Sequence, residues 1–156
     1  MRGPLVIGVI GAATVGAPVR ELAVAVGREI ARHGWFLICG GLGGVMEAAC
    51  RGAREAGGRT IGILPGTDRN SANAWVEIAL PTGIADARNA IIARAAHACI
   101  AVGGEFGTLS EIAFCLKFGT PVVALESRWS SDVFLPELAT VKSPQEACAW
   151  VERKLA

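Results

Sequence analysis

The sequence predicts an α/β fold: a three-layer, Rossmann-like arrangement in which a doubly wound, mostly parallel sheet is covered by helices on both faces. Three observations carry that reading. Short apolar, β-rich runs alternate with segments of helical period from end to end. The connections between them are short, as right-handed crossovers between parallel strands require. Glycine loops follow directly on Ile10, Cys39 and Val102, at the strand ends where open α/β sheets bind their ligands.

Taken in order, residues 5–10 form a continuous apolar run, the pattern of a strand buried on both faces. A glycine turn at 11–16 leads to Pro18, suited to a first helical position, after which Val19, Leu22, Val26 and Ile30 share one helical face until Gly34 stops the helix. A second strand, 35–39, and a glycine-dense loop, 40–44, precede a helix over 45–56. That helix has Glu47–Arg51 and Arg51–Glu55 spaced for i,i+4 pairs. Strands follow at 60–64, closed by Pro65-Gly66, and at 76–80 before Pro81. Asp86 is placed to cap a helix reaching about residue 96. The pattern then reads strand 99–102, glycine loop 103–107, helix 108–118 and strand 121–125. Residues 127–140 are the least regular stretch, and Ser143-Pro144-Gln145-Glu146 is a capping box opening a last helix to about Lys154.

A chain of 156 residues is one domain, 1–156, on the prior of roughly 100–200 residues each. Hydrophobic residues at 52% and charged ones at 19% describe a packed globule. A net charge of +1 argues against a bulk electrostatic grip on nucleic acid or an anionic membrane. The five cysteines are widely spaced with no CxxC pair, which fits neither a zinc site nor a disulfide framework and points to buried thiols in a reducing compartment. Arg2 followed by an apolar stretch imitates a signal peptide, but glycines interrupt it, and no apolar run nears the ~18 residues of a membrane helix. The expectation is a soluble, cytoplasmic protein.

Glycine beside a helix start lets backbone N–H groups close around an anion, aided by the helix dipole. Gly103-Gly104-Glu105-Phe106-Gly107-Thr108 has this form, with a hydroxyl at Thr108. No GxxxxGK[ST] occurs, and residues 8–16 do not make a GxGxxG with an acidic partner, so neither a P-loop nor an ordinary NAD site is indicated. Glu111 has two readings: the last residue of a capping box, Thr108-Leu109-Ser110-Glu111, or a carboxylate serving the anion loop. From the residues alone the cap is preferred. Arg88 is either an exposed helix arginine or a phosphate clamp in the first turn of its helix. His33 and His97 have no metal-ligand partners in the sequence, and no metal site is expected.

With these loops placed, Gly40-Gly41-Leu42-Gly43-Gly44-Val45-Met46, Ile63-Leu64-Pro65-Gly66, Arg88 and Gly107-Thr108-Leu109-Ser110-Glu111 resemble the LOG-type superfamily. That superfamily holds the cytokinin-activating phosphoribohydrolases and proteins labelled as lysine decarboxylases. Residues 57–66 and 82–89 are similar to its molybdenum cofactor carrier branch. The resemblance implies a phosphorylated ligand held at Gly11, Ala12, Gly40, Gly41, Gly43, Gly44, Met46, Pro65, Gly66, Arg88, Asn89, Gly103, Gly104, Phe106, Gly107, Thr108 and Glu111. In a hydrolase, Arg88 and Glu111 would be the catalytic pair, the carboxylate stabilising an oxocarbenium-like state. Three departures stand against turnover. Glu105 replaces a glycine of the hydrolase loop, Asn89 replaces a lysine, and the loop at 40–44 is shorter.

The favoured expectation is therefore a binding or carrier protein for a nucleotide or a molybdenum cofactor-like pterin phosphate, with no cofactor required for its own work. The alternative is a nucleoside 5′-monophosphate phosphoribohydrolase. Lysine decarboxylation is rejected, because Lys117, Lys142 and Lys154 are not placed to carry pyridoxal phosphate. The helix over 108–118 has more apolar surface than one stripe needs, which with the resemblance implies a homodimer or homotetramer.

Overall fold

The computed structural model describes residues 3–129 and 135–156. Residues 1–2 and 130–134, which include Arg2 and part of the irregular 127–140 stretch, lie outside the described residues. Among the described residues seven strands, β1 (Val6–Gly11), β2 (Phe36–Cys39), β3 (Arg59–Leu64), β4 (Ile78–Pro81), β5 (Ala98–Val102), β6 (Val122–Leu125) and β7 (Ala139–Val141), make one sheet. Its order is β4-β3-β2-β1-β5-β6-β7, with every neighbouring pair parallel. Among the described residues, four α-helices lie between strands, α1 (Ala17–Arg32), α2 (Val45–Glu55), α3 (Arg88–Ala95) and α4 (Phe106–Phe118), and a fifth, α5 (Pro144–Leu155), follows β7. The α/β, doubly wound, single-domain reading of the sequence is thus correct.

Strand alternation sorts the core into two clusters. Ile7, Val9, Leu37, Cys39, Ile100 and Val102 pack with α1, α2 and α5 on one face. Ile10, Ile38, Cys99 and Ala101 pack with α3 and α4 on the other. Since successive side chains leave opposite faces, a strand covered on both sides must be apolar throughout, and that is why these runs were legible. On the first face α1 and α2 cross at two glycines. A Cβ on Gly27 would lie 1.9 Å from the Ala49 carbonyl oxygen, and one on Gly52 1.9 Å from that of Val24, so the crossing is closed by backbone against backbone.

Several local expectations need correction. β4 begins at Ile78, two residues later than read, and β7 begins in the stretch taken as irregular and ends one residue beyond it. Asp86 caps nothing: it sits in a short 3-10 turn, Ala85–Ala87, and α3 starts at Arg88 without a side-chain cap. In α2, Arg51 pairs with Glu55 at 2.8 Å, while Glu47 joins no ion pair among the described residues. The capping box of α5 is real: Ser143 Oγ accepts from Glu146 N at 3.1 Å. Its return bond differs from the usual one, because Glu146 Oε2 accepts from the N–H of Lys142 at 3.0 Å, one residue before the cap.

Candidate functional site

From β1 the chain winds outward to β4, then returns to lay β5 beside β1 and winds outward again to β7. Gly11 and Val102 are register partners at this reversal, and the loops leaving them diverge. Between them opens a cleft of about 390 Å3. Its walls are Gly11, Ala12, Ala13 and Thr14 after β1, Leu42 and Met46 beyond β2, Asp86, Arg88 and Asn89 at α3, and Glu105, Gly107, Thr108 and Glu111 at α4.

The start of α4 is shaped for an anion. Gly104 has φ 139°, a conformation that side chains seldom adopt, and a Cβ there would stand 2.9 Å from Thr108 Cγ2. This turn opens a 13-residue helix whose first-turn residues Gly107 and Thr108 line the cleft, and the N-cap residue Glu105 supplies no side-chain cap to the first-turn N–H groups. Thr108 is 2% exposed, and its Oγ1 is buried without a hydrogen-bond partner among the described residues. A buried hydroxyl left unbonded costs about 1–3 kcal/mol, so its position calls for a partner. The Glu105 carboxylate, at the edge of the cleft, pairs with Arg128 at 3.3 Å, and the guanidinium also covers the Trp129 ring at 4.6 Å.

Helix α4 starts at Phe106, two residues before the sequence reading, and this decides the role of Glu111. Thr108 is the third residue of the helix and Glu111 lies a turn further in, so the proposed cap is not formed. Glu111 is instead a cleft carboxyl, 8% exposed. Burial raises its pKa to about 8, against the opposing charge of Arg88, with Cys115 and Cys39 adding to the rise. At neutral pH it therefore holds its proton, and an anion in the cleft meets a donor in place of a second negative charge.

Arg88 is not an exposed arginine; only 7% of it meets solvent. Its Nε donates to the Ile63 carbonyl at 2.9 Å and its Nη1 to Asn89 Oδ1. Gly40 makes room for it, since a Cβ there would lie 2.8 Å from Arg88 Nη2 and 2.7 Å from Met46 Sδ. Arg88 has no ion-pair partner among the described residues, which leaves N–H groups for a ligand. Arg94, by contrast, lies outside over the Phe118 ring at 4.0 Å.

Of the residues expected at the site, Gly11, Ala12, Met46, Arg88, Asn89, Gly107, Thr108 and Glu111 come together around the cleft. Gly40, Gly41, Gly43 and Gly44 stand behind it: a Cβ on Gly44 would strike the Ala12 oxygen at 2.2 Å, so this loop is seated on the loop after β1. Pro65 and Gly66 act at one remove, their carbonyls accepting from Ala85 and Gly83 N–H at 2.9 Å each and so docking the turn before α3. Gly103 and Gly104 shape the turn, and Phe106 is 72% exposed with its ring 5.6 Å from that of Trp129. Ala13, Thr14, Leu42, Asp86 and Glu105 were not among the residues expected to hold the ligand, although the Thr14 hydroxyl in a strand-end loop was a signal available in the sequence.

The fold and the sequence have known relatives. A family model described as the SLOG cluster4 family matches residues 4–151. The chain belongs to the SLOG cluster4 family. The molybdenum cofactor binding protein of the phototrophic bacterium Rippkaea orientalis superposes with a TM-score of 0.94 at 34% identity, over 100% of both chains. The molybdenum cofactor carrier protein of Chlamydomonas reinhardtii gives 0.90 at 35%, over 98% of this chain and 99% of that one. By sequence, the cytokinin riboside 5′-monophosphate phosphoribohydrolase of Mycobacterium marinum is 38% identical over 96 residues, which are 59% of this chain and 51% of that protein. This SLOG cluster4 chain thus spans about half the length of that enzyme and nearly all of the molybdenum cofactor binding protein and the carrier protein. The LOG-like relationship and the carrier branch read from the motifs are both shown.

Proposed function

We propose that this protein binds and carries a phosphorylated heterocycle, a nucleotide or a molybdenum cofactor-like pterin phosphate, in the cleft between β1 and β5. The observation that carries the reading is the unpartnered, buried Thr108 hydroxyl at the amino end of α4, in a cleft shared with the uncommitted N–H groups of Arg88. The phosphate accepts from α4 amides and from Thr108, and Arg88 neutralises its charge. The full-length likeness to two molybdenum cofactor proteins supports a carrier over a catalyst. The molybdenum cofactor would here be cargo.

Calorimetry with nucleoside 5′-monophosphates and a pterin phosphate tests this. Arg88→Ala and Thr108→Val should each weaken binding by ~1–3 kcal/mol, the range for charge-assisted and buried hydrogen bonds. Unchanged affinity in both variants would place the ligand elsewhere.

One observation favours the second reading, a phosphoribohydrolase. Glu111, with its pKa raised to about 8, shares the cleft with Arg88 and is poised to give a proton to a departing base. The free, buried state of all five cysteines supports a reducing, cytoplasmic setting. Among the described residues no helix is long and apolar enough to cross a membrane. A homo-oligomer is proposed as well, with the apolar outer face of α3 and α4 as its contact; the 39% exposure of Ile91 beside Ala90, Arg94 and Phe118 supports it.

A further inference from the structure

We infer that Ser110, acting through Asn89, is a positioning residue for Arg88; this rests on the phosphate-binding reading above. A line of hydrogen bonds joins the start of α3 to the start of α4. Arg88 Nη1 donates to Asn89 Oδ1, Asn89 Nδ2 donates to Ser110 Oγ at 3.2 Å, and Ser110 Oγ donates to the Gly107 carbonyl at 2.7 Å. Each end of this line fixes its direction. The guanidinium has donors only, and the carbonyl can only accept. The Asn89 amide is therefore held with its oxygen toward Arg88, since the reverse orientation would set N–H against N–H. Ser110 likewise spends its proton on Gly107 and offers a lone pair to Asn89.

The line gives Arg88 a second anchor. Its Nε is fixed on β3 through the Ile63 carbonyl, and its Nη1 is fixed to the first turn of α4 through Asn89 and Ser110. The guanidinium plane and the helix amides are thereby registered to each other, so one anion can meet both at once. A planar fork held at two points loses less freedom when it binds than a loose one. Ser110 does not line the cleft. Any effect of its hydroxyl on a ligand must travel through Asn89 or through the Gly107 carbonyl.

The test is a double-mutant cycle with inorganic phosphate, followed by the amide shift of Thr108 in NMR titration. Ser110→Ala should weaken phosphate by roughly three- to tenfold, the worth of one neutral hydrogen bond. In the Arg88→Ala background the same change should have no further effect. Ser110→Thr, which keeps the hydroxyl, should restore native affinity. Equal losses in both backgrounds, or a Ser110→Thr variant as weak as Ser110→Ala, would overturn the positioning role while leaving the phosphate site intact. An Arg88→Ala variant with native phosphate affinity would instead defeat the phosphate reading, and this inference with it. A thermal melt of Ser110→Ala close to the native one separates these outcomes from misfolding.

Discussion

Glu111 ties stability to pH more directly than any other single residue of the cleft. Its pKa stands at about 8 against an ordinary 4.5, chiefly because it is buried. Between those values the folded chain keeps a proton that the unfolded chain has released, so this group makes stability fall as pH rises, by about 1.4 kcal/mol per unit. Glu111→Gln should remove that slope. Denaturant melts at pH 5 and pH 8 should show the variant gaining a few kcal/mol on the native protein at the higher pH, and equal differences at the two pH values would contradict the burial of a neutral acid. Phosphate affinity should likewise drop above about pH 8, as the carboxyl ionises beside the anion. The sequence left this residue ambiguous for a physical reason. Thr108-Leu109-Ser110-Glu111 satisfies the capping-box spacing, and only the backbone shows that Gly107 is already helical, with the helix starting at Phe106. Arg88 was hidden similarly, since nothing local says that Gly40 and Met46 would enclose its head group.

Among the elements, the α1–α2 crossing makes the sharpest demand on sequence. Gly52→Ala would put a methyl group 1.9 Å from the Val24 carbonyl oxygen, where neither helix backbone can yield without parting the pair. The cost should reach or exceed the upper end of the ~1–3 kcal/mol range for overpacking, read as a fall in the denaturation midpoint. An alanine at Gly57, with φ 80° but nothing within 4 Å of its Cβ, should strain the backbone without parting the helices. Burial on both faces made β1, β2, β5 and β6 readable as apolar runs of the right length. β7 escaped because Ala139-Thr140-Val141 is three residues at a sheet edge, too short for either a run or an alternation. α3 was found but mis-started, because a 3-10 turn without a capping side chain opens it.

Over the whole molecule, one sheet reversal gathers Gly11, Arg88, Thr108 and Glu111 from distant parts of the chain, and the opposite concern is the apolar outer surface of α3 and α4. Ile91 is 39% exposed there, beside Ala90, Ala95 and Phe118, and Phe114 stacks on Phe118 at 5.6 Å. A second copy covering this surface predicts that light scattering finds a dimer or tetramer and that Ile91→Glu lowers the assembly state, with a native monomer as the contrary result. Whether the cleft holds its ligand or cuts it separates the carrier from the hydrolase. Incubation with a panel of nucleoside 5′-monophosphates and a pterin phosphate, following both affinity and released base by chromatography, addresses it most directly. A carrier predicts saturable binding that Arg88→Ala weakens, with no base released by the native protein. Base release by the native protein that Glu111→Ala abolishes would contradict it and establish a phosphoribohydrolase.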